Sequence, residues 1–152
     1  MSMRNQNIED ATDLLFRLPR IMKGSMQREI YKSPLQSIDS RLSPHHMMIM
    51  KIVDEEGMLN ISEIGDTAMI SKAQMTQSID TLTSLGMLER QADPTDRRKT
   101  WIILTDKGKE AVDFLDKAIK ERMTGLLSGL NDEELGKTLE SLKYLVATFE
   151  KL

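Results

Sequence analysis

Two groups of polar side chains in the middle of the chain are of types that can contact nucleic acid. In the first group, glutamine can pair with adenine and lysine with guanine, and alanine or threonine can touch the thymine methyl group. In the second group, an exposed arginine in a turn-rich basic run can enter a narrow minor groove. A solvated helix face and a solvated charged turn are the competing interpretations. The candidate DNA-contacting residues are Ser71, Lys72, Ala73, Gln74, Thr76 and Gln77 in the first group, and Arg97, Arg98 and Lys99 in the second.

A helix-turn-helix would position the first group. Ser71 is a suitable N-cap and Gly86 a suitable terminator of a helix between them. A shorter helical segment at 61–68 precedes it with a very tight connection, which is typical of a helix-turn-helix. The apolar stripe of the second helix is separate from its polar residues and consists of Met75, Ile79 and Leu82.

A β-hairpin would position the second group. Two short β-prone runs, 87–91 and 100–104, flank the turn-rich basic segment at 92–99. A helix-turn-helix followed by a hairpin is a winged helix. Asp96 lies beside the arginines, and a carboxylate can hold an arginine in one rotamer by a bidentate contact. We therefore predict Asp96 to be a positioning residue of the DNA-binding surface.

The chain on the N-terminal side of this unit has a helical pattern of apolar residues over 8–31. Pro19 lies inside this pattern and should kink the helix or split it in two. The segment 33–40 contains Pro34 and polar residues, which favour a loop. Ser43 and Pro44 then open a second helix, because serine is a good N-cap and proline suits the first helical position.

The chain on the C-terminal side contains two further helices. Thr105 caps a long helix that runs to about Leu127, and Gly129 breaks it. Asn131 and Glu134 have the spacing of a capping box, which begins the last helix. A small winged helix does not need the terminal helices in order to fold, so their apolar faces require another surface to pack against. The simplest such partner is a second copy of the chain.

The predicted fold is mainly α with a small β-hairpin wing. It forms a single domain over residues 1–152, in which a winged helix-turn-helix at 42–104 lies between helical dimerisation regions at 8–31 and 106–151. The length of 152 residues agrees with one domain.

Composition excludes several classes of protein. The chain has no cysteine, which removes disulfides, thiol catalysis and thiol-based redox sensing. Its net charge of −3 argues against a basic coat that binds nucleic acid regardless of sequence. No signal peptide or apolar span stands out, which favours a cytoplasmic protein without a membrane partner. We find no phosphate loop, nucleophile or catalytic carboxylate pair, so we expect neither an enzyme nor a cofactor.

Several segments resemble the multiple-antibiotic-resistance regulator (MarR) family. The run from Asp93 to Arg98, followed by Ile103 to Gly108 with its Leu-Thr-x-x-Gly sequence, is similar to the wing and post-wing signature of that family. Ile79 to Arg90 and Gly129 to Leu135 are similar to the end of its recognition helix and the start of its last helix. The resemblance covers roughly residues 42–149.

The resemblance implies a homodimer that places two winged helices on pseudo-palindromic double-stranded DNA. It implies transcriptional control, most often repression that a small molecule relieves. Carried over by position, Arg98 is the wing-tip arginine that enters the minor groove, Asp96 is its carboxylate partner, and Arg90 approaches phosphate near the wing base. The chain departs from the family at Thr81, where many members carry arginine, and its 60–105 region has five cations against six carboxylates.

Effectors of this family commonly bind between the dimer helices and the winged domain. Arginine beside methionine and histidine could hold an aromatic or fatty carboxylate there. The competing interpretation is core filler with a solvated arginine. The candidate ligand-binding residues are Arg17, Arg20, His45, His46 and Met50.

Two other functions compete with this interpretation. A metal-responsive regulator is one, but His45 and His46 are adjacent and project about 100° apart on a helix, so one ion could not easily bind both. A winged helix that only contacts other proteins is the second. The basic tip and the polar side chains Gln74 and Gln77 argue against it, because such a surface is usually more apolar.

Overall fold

The computed structural model describes residues 2–27, 33–96 and 98–152. Seven helices and a three-stranded antiparallel sheet follow one another in these ranges. The helices are α1 (Met3–Gln27), α2 (Ser33–Ile38), α3 (Pro44–Glu56), α4 (Ile61–Ala68), α5 (Lys72–Ser84), α6 (Asp106–Leu127) and α7 (Asp132–Phe149), and the strands are β1 (Leu59–Asn60), β2 (Leu88–Ala92) and β3 (Thr100–Leu104). The mainly helical fold with a β-hairpin wing is thus confirmed.

One hydrophobic core joins α2, α3, α4, α5, the sheet and the first half of α6. Its members are apolar residues that recur on the inward faces of these elements. The fully buried large side chains are Leu35, Ile49, Met50, Ile64, Met75, Ile79, Leu82, Met87, Leu88, Ile102 and Leu115. This core fixes the relative positions of the helix-turn-helix and the wing.

Local capping explains why the predicted helix starts are correct. Ser71, Thr105 and Asn131 each accept a hydrogen bond through their side chain from a backbone N–H of the first turn. Glu134 completes the predicted capping box by accepting the Asn131 N–H. Gly86 adopts a φ of +70° after α5, as a helix terminator does.

The N-terminal helix differs from the prediction in two respects. It begins at Met3 rather than at residue 8, and α1 continues through Pro19 instead of being split there. A proline removes one intrahelical hydrogen bond, but the turns on either side retain theirs. The predicted end at residue 31 lies outside the described residues.

The predicted loop at 33–40 was wrong, because residues 33–38 form α2. Proline is compatible with the first turn of a helix, where its missing N–H has no acceptor to serve. Both Pro34 and Leu35 are buried, and α2 packs against α6. Burial of Leu35 in the core therefore stabilises a helix that the local sequence does not indicate.

The sheet contains a strand that the sequence did not predict. Strand β1 has only two residues, Leu59 and Asn60, which pair with Ile102 and Trp101 of β3. A run this short cannot show the alternation that marks a strand. The order of strands is β1-β3-β2, so β3 is central and the wing hairpin extends from it.

Candidate nucleic-acid interface

The turn between α4 and α5 is closed by backbone geometry. Met69 ends α4 in the left-handed region with a φ of +52°, and the Ile70 N–H donates to the Gly65 carbonyl at 3.1 Å. Ser71 then caps α5. This connection places the N-terminus of α5 at the surface while its inner face packs against α4.

Helix α5 separates buried residues from exposed ones, as a groove-reading helix requires. Met75, Ile79 and Leu82 are fully buried. The predicted contact residues on the other side are all exposed, and they are Ser71, Lys72, Ala73, Gln74, Thr76 and Gln77.

Three of these exposed side chains already have hydrogen-bond partners at the start of α5. The Ser71 hydroxyl donates to the Gln74 side-chain oxygen at 2.9 Å, which leaves the Gln74 amide NH₂ to serve as a donor. The Thr76 hydroxyl donates to the Lys72 carbonyl. Among the described residues, the side chains of Lys72 and Gln77 make no hydrogen bond. Helix α5 therefore presents the Lys72 ammonium and the Gln77 amide without partners in the described ranges, and the Gln74 amide held in one orientation by Ser71.

Asp93 organises the wing. Its carboxylate accepts hydrogen bonds from the Thr95 N–H and hydroxyl, the Asp96 N–H and the Trp101 indole N–H, at 2.6–2.8 Å. These bonds, led by the one from the Thr95 hydroxyl, hold the pKa of the Asp93 carboxyl far below its usual range. The sequence alone did not indicate this role for Asp93. Its position two residues before Thr95, an Asx-turn spacing, was the available signal.

Asp96 has a different contact from the one predicted. Its carboxylate accepts the backbone N–H of Arg98 at 3.1 Å, and its carbonyl accepts the Lys99 N–H at 2.9 Å. It therefore fixes the turn, and within the described residues it makes no contact with the guanidinium of Arg98. Arg98 and Lys99 are exposed at the tip, while Arg97 lies outside the described residues.

Arg90 joins the wing to α5, the candidate recognition helix. Its guanidinium donates to the carboxylate of Asp80 on α5, across a pair in which both side chains are exposed. Because the pair is solvated, its contribution to stability is small. A DNA phosphate would therefore have to compete with the Asp80 carboxylate for the Arg90 guanidinium.

The beginning of α6 locks the end of α5 to the wing. The Thr105 hydroxyl contacts the carbonyls of Gly86 and Met87, and the Lys107 ammonium donates to the Leu85 carbonyl at 2.7 Å. Gly108 donates its N–H to the Thr105 hydroxyl. The recognition helix, β2 and α6 therefore meet at a single junction.

The predicted ligand-binding residues do not form one site in the structure. Arg17 and Arg20 are exposed on α1, and in the described ranges neither makes a hydrogen bond or ion pair to His45 or His46. Met50 is fully buried in the core and lines neither of the two clefts beside α3. Met50 is therefore corrected from a ligand-contacting to a core residue.

An apolar cleft of about 520 Å³ lies between α3 and α6 instead. The Lys51 ammonium crosses it to the Asp116 carboxylate, at 2.8 and 2.9 Å from its two oxygens. The lining residues are Pro44, Met47, Met48, Lys51, Ile52, Glu55, Asp116 and Ile119. Methionine is common at adaptable apolar sites, so the cleft suits a small apolar molecule that carries a charge.

The ranges that the structure describes contain neither a metal-binding cluster nor a membrane-spanning helix. In these ranges, no three histidine, aspartate or glutamate side chains come together in a way that could hold an ion. None of the helices described has the length and apolar character needed to cross a bilayer.

Comparison with known proteins places these features in a family. Residues 42–100 match the model of the MarR family. The chain is 26% identical over 143 residues to an uncharacterized HTH-type transcriptional regulator of Bacillus subtilis, YkoM, with 94% of this chain and 90% of YkoM covered.

Solved structures show the same fold. The YusO protein of Bacillus subtilis superposes with a TM-score of 0.71 at 22% identity, covering 97% of this chain and 99% of YusO. BpsR of Bordetella bronchiseptica, whose DNA binding is described as regulated by 6-hydroxynicotinic acid, superposes with a TM-score of 0.57 at 20% identity, covering 86% of this chain and 98% of BpsR.

Proposed function

We propose that the chain, whose residues 42–100 match the model of the MarR family, is a member of that family and acts as a homodimeric, sequence-specific DNA-binding repressor. Like its relatives, it is a transcriptional regulator, and it is not an enzyme. The observation that supports DNA binding best is the pairing of an exposed polar side on α5 with an exposed basic wing tip in one rigid unit. A regulator of this kind acts where the chromosomal DNA lies, so we infer a cytoplasmic location.

In this proposal the two parts of the interface have different tasks. Lys72, Gln74 and Gln77 meet base edges in the major groove, where their donors and acceptors can discriminate bases. Arg98 reaches the minor groove from the wing, and Asp93 and Asp96 hold the turn that carries it. Two such units in a dimer would read a pseudo-palindromic operator, with half-sites roughly one DNA turn apart, on the order of 34 Å.

Replacing Arg98 with Ala tests this arrangement. We expect the Kd for a duplex from the protein's own promoter region to rise by about 10- to 100-fold, because a minor-groove arginine contact is lost. Fluorescence anisotropy across a salt series measures the change, with a scrambled duplex for comparison.

Arg122→Ala is the matched control, since it removes the same charge from α6, outside α5 and the wing. Its Kd should stay close to that of the wild type. If Arg98→Ala and Arg122→Ala bind alike, Arg98 has no role in the interface. If the wild type selects no sequence even from random duplexes, the DNA-binding proposal itself is wrong.

We further propose that the α3–α6 cleft binds the effector, an anionic molecule with an apolar body. The cleft has five apolar residues, two carboxylates (Glu55 and Asp116) and one cation, Lys51, for which an anion could compete with Asp116. An effector there would push α3 and α6 apart, and α3 packs directly on the helix-turn-helix. The effector of BpsR, an aromatic carboxylic acid, supports this class of molecule.

A panel of aromatic carboxylic acids, beginning with 6-hydroxynicotinic acid, would identify such an effector by release of the labelled duplex. For any acid that acts on the wild type, we expect Lys51→Met to need at least about 10-fold more of it, because the paired charge is lost. DNA affinity without effector should be nearly unchanged. Lys117→Met on α6 is the control, and an equal loss of response in both variants would place the effector elsewhere.

A further inference from the structure

A second concave site lies beside the recognition helix. It is a groove of about 440 Å³ between the N-terminus of α3 and α5, which we call the α3–α5 groove. Its α5 wall includes Gln74 and Gln77, and its opposite wall carries Arg41, His45 and His46. These are the only two histidines of the chain.

His46 is held in an orientation that leaves one nitrogen free. Its side chain is only 9% exposed, and its Nδ1 accepts the Ser43 N–H at 3.1 Å as part of the cap of α3. A neutral imidazole that accepts at Nδ1 carries its proton on Nε2. In the described part of the chain Nε2 makes no hydrogen bond, so a buried ring has an unused donor at the groove.

The charges around the groove favour an anion. The residues that line it include no carboxylate, and those from α5 are uncharged. Arg41 is fixed by Asp39 at 2.9 and 3.0 Å, and this contact holds the pKa of Asp39 at about 2. The titratable groups that face His46 are therefore His45 and Arg41. Burial, together with the charge of His45, lowers the pKa of His46.

The position of the groove identifies the anion. When the exposed side of α5 faces base edges, the wall next to it faces the phosphates that border the same groove of the DNA. We propose that a phosphate of the operator backbone occupies the α3–α5 groove against His45 and His46, so that operator binding takes up a proton. This inference rests on the proposed DNA-binding function and adds to it a dependence on pH.

The direction of the pH dependence follows from the linkage between proton binding and DNA binding. A phosphate beside the imidazoles stabilises their charged form, so the histidine pKa values rise when DNA binds. The complex then holds more protons than the free protein between the two sets of pKa values. Affinity for the operator therefore increases as pH falls through that window and levels off below it.

Operator titrations of the full chain at pH 7.5 and pH 6.0 test the proposal, at constant salt. We expect the Kd of the wild type to fall by about five- to tenfold on acidification, which corresponds to net uptake of about 0.5–0.7 proton per bound dimer. In the double variant His45→Gln/His46→Gln, the glutamine at 46 can still accept the Ser43 N–H as in a capping box. Its Kd should change less than twofold over the same range, on the order of experimental scatter.

Histidine NMR supplies a readout independent of affinity. Since the chain has two histidines, both ring signals report on this groove. Saturating operator DNA should raise the pKa of at least one ring, whereas inorganic phosphate alone should not.

The outcomes separate the possible failures. Operator binding with unshifted histidines, or an equal pH dependence in the double variant, overturns this inference and leaves the regulator proposal intact. Shifts of equal size with inorganic phosphate alone would make the groove a small-anion site and overturn its assignment to the DNA backbone. Failure to bind any duplex overturns both proposals together.

Discussion

Replacing Gly108 with Ala is expected to lower the free energy of unfolding by about 3 kcal/mol. A Cβ at this position would stand 2.2 Å from the Met87 carbonyl oxygen and 2.6 Å from Cδ1 of Leu104. The Met87 oxygen belongs to the backbone and accepts the Thr105 N–H at 3.1 Å, so it cannot move aside like a side chain. The first turn of α6 must shift instead, at the junction that holds the recognition helix to the wing.

Urea unfolding followed by circular dichroism measures this effect. Gly125→Ala in the same helix is the control, because a Cβ there meets nothing within 4 Å. It should stabilise the protein by about 0.5–1 kcal/mol, since alanine favours a helix more than glycine does. Equal behaviour of the two variants would mean that the close approach at Gly108 is relaxed at little cost.

Gly108 also illustrates what the sequence could and could not predict. The Leu-Thr-x-x-Gly sequence was recognised as a resemblance, and Thr105 was predicted as a cap from local rules alone. The reason for the glycine is its contact with a backbone atom 21 positions earlier, which no local pattern contains. Helix starts such as those at Ser71 and Asn131 were predictable because a capping side chain and the backbone N–H that donates to it lie within three residues.

The errors at the candidate sites have the same origin. Asp93 and Asp96 are both carboxylates in the same turn, and only the folded hairpin brings the Trp101 indole to Asp93. Met50 and Lys51 are adjacent on α3, so a rotation of about 100° decides which faces the core and which faces α6. The rotation depends on the packing of α3 against α4 and α6, which becomes definite only in the complete fold.

The apolar stripe of α7 has no partner within the described chain. Leu139 and Leu142 are each 50% exposed, and α7 has no buried residue at all. Exposed leucines and aromatic residues on α1 present a second such surface. The large apolar residues exposed on these two helices are Met3, Ile8, Leu14, Leu15, Phe16, Leu18 and Ile21 on α1, and Leu135, Leu139, Leu142, Tyr144, Val146 and Phe149 on α7. The stripe formed by Leu135, Leu139, Leu142, Val146 and Phe149 leaves large apolar side chains exposed on one face of α7, which is typical of an interface and supports the proposed homodimer.

Replacing Leu142 with Glu is therefore expected to break the dimer and with it operator binding. Burial of a leucine is worth about 1.5–3 kcal/mol, and a two-fold interface contains each residue twice. The loss of both copies would weaken dimerisation by about 100-fold or more, before the cost of burying the new carboxylates is added. Because a monomer reads one half-site only, affinity for the full operator should fall by at least a similar factor.

Sedimentation equilibrium and anisotropy on the same samples measure the two effects. Tyr144→Glu is the control, because residue 144 lies about 200° around the helix from residue 142 and points away from the stripe. It introduces the same charge at a side chain that is 77% exposed, and the variant should remain a dimer with nearly wild-type affinity. Circular dichroism must show both variants to be helical, so that a loss of association is separated from unfolding.

A Leu142→Glu protein that stays dimeric would show that the dimer interface does not include this face of α7. A monomeric variant that binds the operator as tightly as the wild type would show that the two winged helices act independently.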